Sequence, residues 1–292
     1  VLFVVVLAAI AACGGTDDAG FGDDEGSGAA SGSGATAVSG TSASSASGTS
    51  AVGAGGAGGA TGAVGSATAA SSGSAGGATT GVDPSNGMGG PIGPGQTGPT
   101  PLGAVIRIPA GYDPSKLAAP VLWLFNEELA QWSAIADGAG LALVDLAEYN
   151  DTNAIVAKLN ESATVLEQQY NVDKARYFFA GWSAGGNIAI ILASQNQTFV
   201  TGVLVFPGTG GNYAKPYMQQ NQGHKIRIYY ACGDQDPNFD HKAVQYEASF
   251  WKGLGYTTRF DLVAGGPHYL DEATYGVRAT GWDWIDEFNL TN

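Results

Sequence analysis

From Leu102 onward, short apolar runs alternate with amphipathic stretches. Val121 to Phe125, Leu141 to Val144, Ala175 to Ala180, Thr201 to Phe206 and Lys225 to Tyr230 are rich in Val, Ile, Leu, Phe and Tyr. Runs so largely apolar, at this length, read as the strands of a sheet flanked by helices. Ala104 to Ile108 reads as a leading strand closed by Pro109 and Gly111, and Thr257 to Val263 as the last strand. The segments between have helical spacing: Glu128 to Asp137, Asn187 to Ala193, Phe239 to Leu254 and Leu270 to Phe288, while Pro207 to Tyr213 reads as a loop. In the helix capped by Asp151 or Thr152, residues Ile155, Leu159, Ala163, Leu166 and Tyr170 fall on one face, as packing on a sheet requires. Alternation of this kind predicts an α/β fold, a mostly parallel sheet with helices on both faces.

The N-terminal part has a different pattern. Val1 to Ala12 is continuously apolar but too short for a bilayer, which takes about 20 residues. It reads as the apolar core of a signal peptide over residues 1–12, with no Lys or Arg ahead of it. Small residues followed by a cysteine resemble the lipobox of bacterial lipoproteins. The resemblance implies lipidation of Cys13, a membrane link through that anchor alone, and a place in the cell envelope at the outer membrane or cell surface. An ordinary secretory signal with an incidental cysteine is the alternative. Residues 13–101 are dominated by Gly, Ala, Ser and Thr, without one charged residue between Ser27 and Val82. Such a segment cannot bury enough apolar surface to offset its ordering entropy, so it reads as a tether with a mean reach of about 50 Å. Residues 102–292 are then a single folded domain.

A net charge of −14 argues against nucleic acid as a partner, since no basic patch is available to neutralise phosphates. With Cys13 assigned to lipid, Cys232 stands alone and reads as a small buried hydrophobe, leaving no disulfide within the mature chain.

The apolar run ending at Phe179 breaks into Gly181-Trp182-Ser183-Ala184-Gly185 before the next helix. A Gly-x-Ser-x-Gly turn between strand and helix is the form of a nucleophile elbow, in which a strained serine is lifted above the sheet. Ser183 is the candidate nucleophile, and the N–H of Ala184 one oxyanion donor. Serine needs a base within hydrogen-bond reach and a carboxylate to hold that base in one tautomer. Of the three histidines, His224 precedes a strand and His241 lies in a helix, whereas His268 follows the last strand at the sheet edge that carries Ser183. His268 is the candidate base. Asp236, in the turn after the strand ending at Cys232, is favoured as the carboxylate over Asp234 and Asp240.

The order Ser183, Asp236, His268, with the elbow in the middle of the alternation, resembles the α/β-hydrolase superfamily. Ile108 to Pro114, the Gly-x-Ser-Ala-Gly-Gly elbow and Gly233-x-x-Asp236 are similar to secreted esterases grouped with polyhydroxybutyrate depolymerases and feruloyl esterases. Trp182 is also shared with polyester hydrolases and prolyl-oligopeptidase-like peptidases. The resemblance implies ester hydrolysis through an acyl-enzyme, with no metal or organic cofactor. One stretch departs from it. Where those families have His-Gly, this chain reads Phe125-Asn126-Glu127-Glu128. The second oxyanion donor is then expected from the backbone of Glu127 with its side chain in water, or from the side chain of Asn126. An inactive hydrolase-fold binding module, and less readily a peptidase, are the alternatives. Few residues separate Phe206 from Lys225, so a minimal lid or none is expected, over an open cleft suited to short acyl or polymer-displayed esters. Trp182, Tyr213 and Tyr269 are candidates to line that cleft, with Tyr217 beside them.

Overall fold

The computed structural model describes residues 83–147 and 151–290. Cys13, the segment read above as a signal and most of the segment read as a tether lie outside these residues. Among them, β1 (Thr97–Pro99), β2 (Val105–Arg107), β3 (Ala119–Phe125), β4 (Ala142–Asp145), β5 (Val172–Trp182), β6 (Gly202–Phe206), β7 (Arg227–Gly233) and β8 (Thr257–Val263) form one sheet in the order β1-β2-β4-β3-β5-β6-β7-β8. The pairs β1–β2 and β2–β4 are antiparallel, and pairing from β4 through to β8 is parallel. Strand order reverses between β3 and β5, where Phe125 pairs with Gly181. Crevices that hold ligands in open α/β sheets form at such a reversal.

The central strands are covered on both faces, which is why they are apolar without alternation. Val121, Trp123, Phe125, Tyr177 and Phe179 join one core, while Leu122, Leu124, Phe178 and Ala180 join the other. The first core is closed by α2 (Thr152–Gln169), α3 (Ala184–Gln195), α4 (Gly211–Gln220) and α5 (His241–Gly253); the second by α1 (Leu129–Ala139) and α7 (Val277–Ile285), which follows the short α6 (Glu272–Tyr275). The cap expected for α2 is present: the Asp151 carboxylate accepts from the N–H groups of Asn153 and Ala154. No helix among the described residues is long and apolar enough to cross a membrane.

Three expectations are corrected. The segment Leu270 to Phe288 is two helices, because Gly276 takes a left-handed φ of 61° and ends α6 before α7 begins. The loop expected at Pro207 to Tyr213 turns helical at Gly211. The tether does not run to Pro101: Thr97–Pro99 pairs with β2, Ser85 Oγ donates to the Tyr170 carbonyl (2.6 Å), and the Ile92 N–H donates to the Tyr170 hydroxyl (2.9 Å). Residues 83–101 are therefore bound along the domain through backbone and tyrosine contacts that composition does not report.

Candidate active site

Ser183 joins β5 to α3 with φ 57° and ψ −123°. An L-residue held there costs on the order of 1–3 kcal/mol and persists only where its surroundings dictate it. The surroundings do so. The Ser183 N–H donates to the carbonyls of Phe206 (3.1 Å) and Pro207 (3.0 Å), and its own carbonyl accepts from the Asn187 N–H (3.2 Å). A Cβ on Gly181 would stand 2.3 Å from the Gly185 oxygen, and one on Gly185 would stand 1.9 Å from the Phe125 oxygen. These two glycines let β3, β5 and α3 meet at backbone contact, which brings the β3 exit beside the serine.

The same substitution at two glycines is expected to have opposite results. Gly185→Ala forces the β3 exit and the elbow apart and should lower stability by at least the 1–3 kcal/mol, roughly, of an overpacked core. Gly138, inside α1 with nothing within 4 Å of its missing Cβ, should gain up to about 1 kcal/mol on change to Ala. Urea unfolding of the two variants reads both signs.

His268 follows β8 and reaches back over the elbow. Its Nε2 is 2.9 Å from Ser183 Oγ, and its Nδ1 is 2.9 and 3.0 Å from the two carboxylate oxygens of Asp236. A carboxylate accepts, so Nδ1 carries the proton and Nε2 is left to accept from the serine hydroxyl. The Asp236 side chain is wholly buried and is itself fixed, accepting from the N–H groups of Asn238 (2.7 Å) and Phe239 (3.0 Å). Phe239 lies flat against the imidazole, with ring centroids 5.7 Å apart, and the Trp182 ring sits 5.1 Å from it. Trp182 Nε1 also donates to the His268 carbonyl at 3.1 Å. The ring is thus held by two aromatic neighbours, its own backbone and the carboxylate. The competing acids do other work: Asp234 accepts from the Gly265 N–H at 2.7 Å, and Asp240 caps α5 through the Lys242 N–H at 2.9 Å.

Of the expected cleft residues, Trp182 and Tyr269 lie together, their rings 5.2 Å apart, next to His268. Tyr213 stands on α4 and is 42% exposed. Ala184 opens α3, where first-turn amides have no acceptor within the helix. Cys232 is a buried free thiol, pushed up to about 12 mainly by burial. Among the described residues no cluster of His, Cys, Asp or Glu could hold a metal ion.

The β3 exit differs from expectation. The Glu127 side chain neither turns to water nor enters the cleft. It is buried, with Arg278 Nε on Oε2 at 2.9 Å and Arg278 Nη2 on Oε1 at 3.0 Å, and Trp132 Nε1 3.4 Å from Oε2. Burial raises the Glu127 carboxyl above its ordinary range and the guanidinium opposes that rise. Asn126, at φ 53°, donates one side-chain N–H to the Trp182 carbonyl at 3.2 Å, which ties the β3 exit to the elbow. Glu128 remains exposed, at the N-cap of α1.

Sequence reasoning passed over Arg278 and Phe239. Arg278 had a signal: it shares the face of α7 that buries Gly281, Trp282 and Ile285, and a cation on an apolar face calls for a buried carboxylate. Phe239, two residues beyond the loop around Asp236 that fixes it, carried none that local pattern reveals.

Residues 136–268 match the dienelactone hydrolase family, a span running from α1 to the histidine of the site. No curated protein sequence matches the chain. Among solved structures, the S-formylglutathione hydrolase FrmB from Staphylococcus aureus is similar with a TM-score of 0.52 and 14% identity, over 67% of this chain and 99% of that one. The S-formylglutathione hydrolase from Agrobacterium tumefaciens gives 0.51 and 11%, over 65% and 93%. The fluorophosphonate-binding serine hydrolase FphF of S. aureus gives 0.50 and 15%, over 66% and 99%. At these identities the structures speak to the fold. A parallel sheet whose middle strand ends in a strained serine, together with a dienelactone hydrolase match reaching to the histidine, marks the chain as an α/β-hydrolase acting on carboxylic esters.

Proposed function

We propose that the chain is a serine esterase in which Ser183, His268 and Asp236 form a catalytic triad acting on short acyl esters or esters displayed on a polymer, outside the cytoplasm. The observation that carries this reading is the unbroken hydrogen-bond chain from Asp236 through His268 to Ser183 Oγ. Ser183 Oγ adds to the ester carbonyl carbon while His268 Nε2 takes its proton. The oxyanion is met by the Ala184 N–H and a backbone N–H of the β3 exit at Glu127, and Asp236 stabilises the imidazolium. Collapse breaks the bond to the alcohol, which leaves with the proton from His268. Water, deprotonated by the same nitrogen, then releases the acid and restores Ser183.

Burial of the Glu127 carboxylate against Arg278 supports turnover over the inactive-module reading, because one of the two charges that would oppose an oxyanion is neutralised inside the protein. The open-cleft reading rests on the stretch between Phe206 and Arg227, which carries one ten-residue helix, α4. The extracytoplasmic and lipid-anchored parts rest on the sequence of residues 1–13 alone.

The test uses two probes on the purified protein. A fluorophosphonate is expected to label one residue, Ser183, found by peptide mass mapping, and short-chain chromogenic esters are expected to be hydrolysed faster than long-chain ones. An unlabelled, folded protein with no turnover on any ester would sink the reading.

A further inference from the structure

We propose that Arg278 is a positioning residue for the esterase reaction, a planar clamp fixing the β3 exit relative to the loop that carries His268. This rests on the triad reading above. Arg278 is wholly buried on α7. Its Nε and Nη2 grip the two oxygens of Glu127, and its Nη1 donates to the Leu270 carbonyl. Glu127 follows Asn126, whose side chain holds the Trp182 carbonyl immediately before Ser183. Leu270 lies two residues beyond His268 in the chain. One rigid guanidinium thus reaches both segments whose separation sets where an oxyanion amide stands relative to the base.

Fold stability alone is a poor explanation of such a pair. A buried ion pair is often replaced by apolar residues of similar volume without loss of stability. What apolar residues do not reproduce is the direction of three donors in one plane, which neither a lysine nor a methionine supplies. Displacement of about 1 Å between reacting groups is enough to lower turnover about 10²-fold. Because an oxyanion donor acts on the transition state, the loss belongs in kcat and not in KM.

The experiment compares the wild-type protein, Ser183→Ala, Arg278→Lys and the double variant Glu127→Leu with Arg278→Met, measuring the urea midpoint, kcat and KM on one short chromogenic ester. Loss of turnover in Ser183→Ala first establishes the triad reading; an inert wild type, or an active Ser183→Ala, would count against that reading and not specifically against the clamp. The double variant is expected to keep a midpoint near wild type while kcat falls about 10²-fold with KM within a few-fold. Arg278→Lys, which keeps the charge and loses the fork, is expected to stay folded with kcat down at least tenfold. Wild-type kcat in either folded variant overturns the proposal. So does failure of Arg278→Lys to fold, which would make Arg278 a residue of the fold and not of the reaction.

Discussion

Ser183→Ala is expected to lower kcat on a short ester by a factor on the order of 10⁶, about 8 kcal/mol of transition-state stabilisation. The loss is large because base, carboxylate and oxyanion amides act as a unit with nothing left to receive the acyl group. Stability should separate from activity in an informative way. Ser183 sits at φ 57° and ψ −123°, a conformation as strained for alanine as for serine. Ser183→Gly should therefore be the more stable of the two inactive variants, by about 1 kcal/mol. Urea midpoints in the order glycine above alanine, with neither variant active, would confirm both the nucleophile and the strain. Residual turnover within a hundredfold of wild type in Ser183→Ala would place the nucleophile elsewhere.

Asp236→Asn is expected to cost about 10⁴ in kcat. The amide would offer an N–H where the carboxylate accepts from Nδ1, so the imidazole would turn its proton toward Ser183 and lose its function as a base. The variant would also weaken the acceptance of the Asn238 and Phe239 N–H groups, which now hold the side chain and with it the ring stacked on the imidazole. Asp234→Asn is the control two residues away. Its carboxylate receives the Gly265 N–H, and its loss should cost about 1 kcal/mol of stability with most activity kept. Equal activities in the two variants, measured on the same ester, would remove Asp236 from the triad reading.

The contrast between these two aspartates also shows what was legible in the sequence. Strands buried on both faces announce themselves by continuous apolar runs, as at Val121 to Phe125, while the edge strand Thr257 to Val263, only half-buried, was placed to the residue by its Thr, Phe, Leu and Val content. The elbow was legible because a glycine-flanked serine between a strand and a helix leaves few other readings. The helix at Gly211 was not. Its first amides are held by Glu247, which accepts from the Gly210 N–H at 2.7 Å and the Gly211 N–H at 2.9 Å while also bonding the Tyr230 hydroxyl. A cap supplied from α5 leaves no trace near the helix it begins, and the local glycines and Pro216 argue for a loop. The Glu127 side chain was misjudged for a similar reason. Its partner lies 151 residues away, and two consecutive glutamates look solvated until that partner is known.

With an anchor on the N-terminal side, as proposed above, the seating of residues 83–101 would set which way the cleft faces. The chain enters the domain where Pro84 bridges to Asp173, next to the first residues of β5, while Ser183 follows the last. The eleven residues of that strand span roughly 35 Å, so the point of attachment and the reacting hydroxyl occupy opposite poles of the domain. A molecule held to a surface by its N-terminal side would present Ser183 outward, toward whatever passes by and away from what holds it. Any pull on the chain ahead of Asp83 would be borne by the Asp83 and Ser85 contacts with β5 and the preceding turn, leaving the elbow out of the line of force.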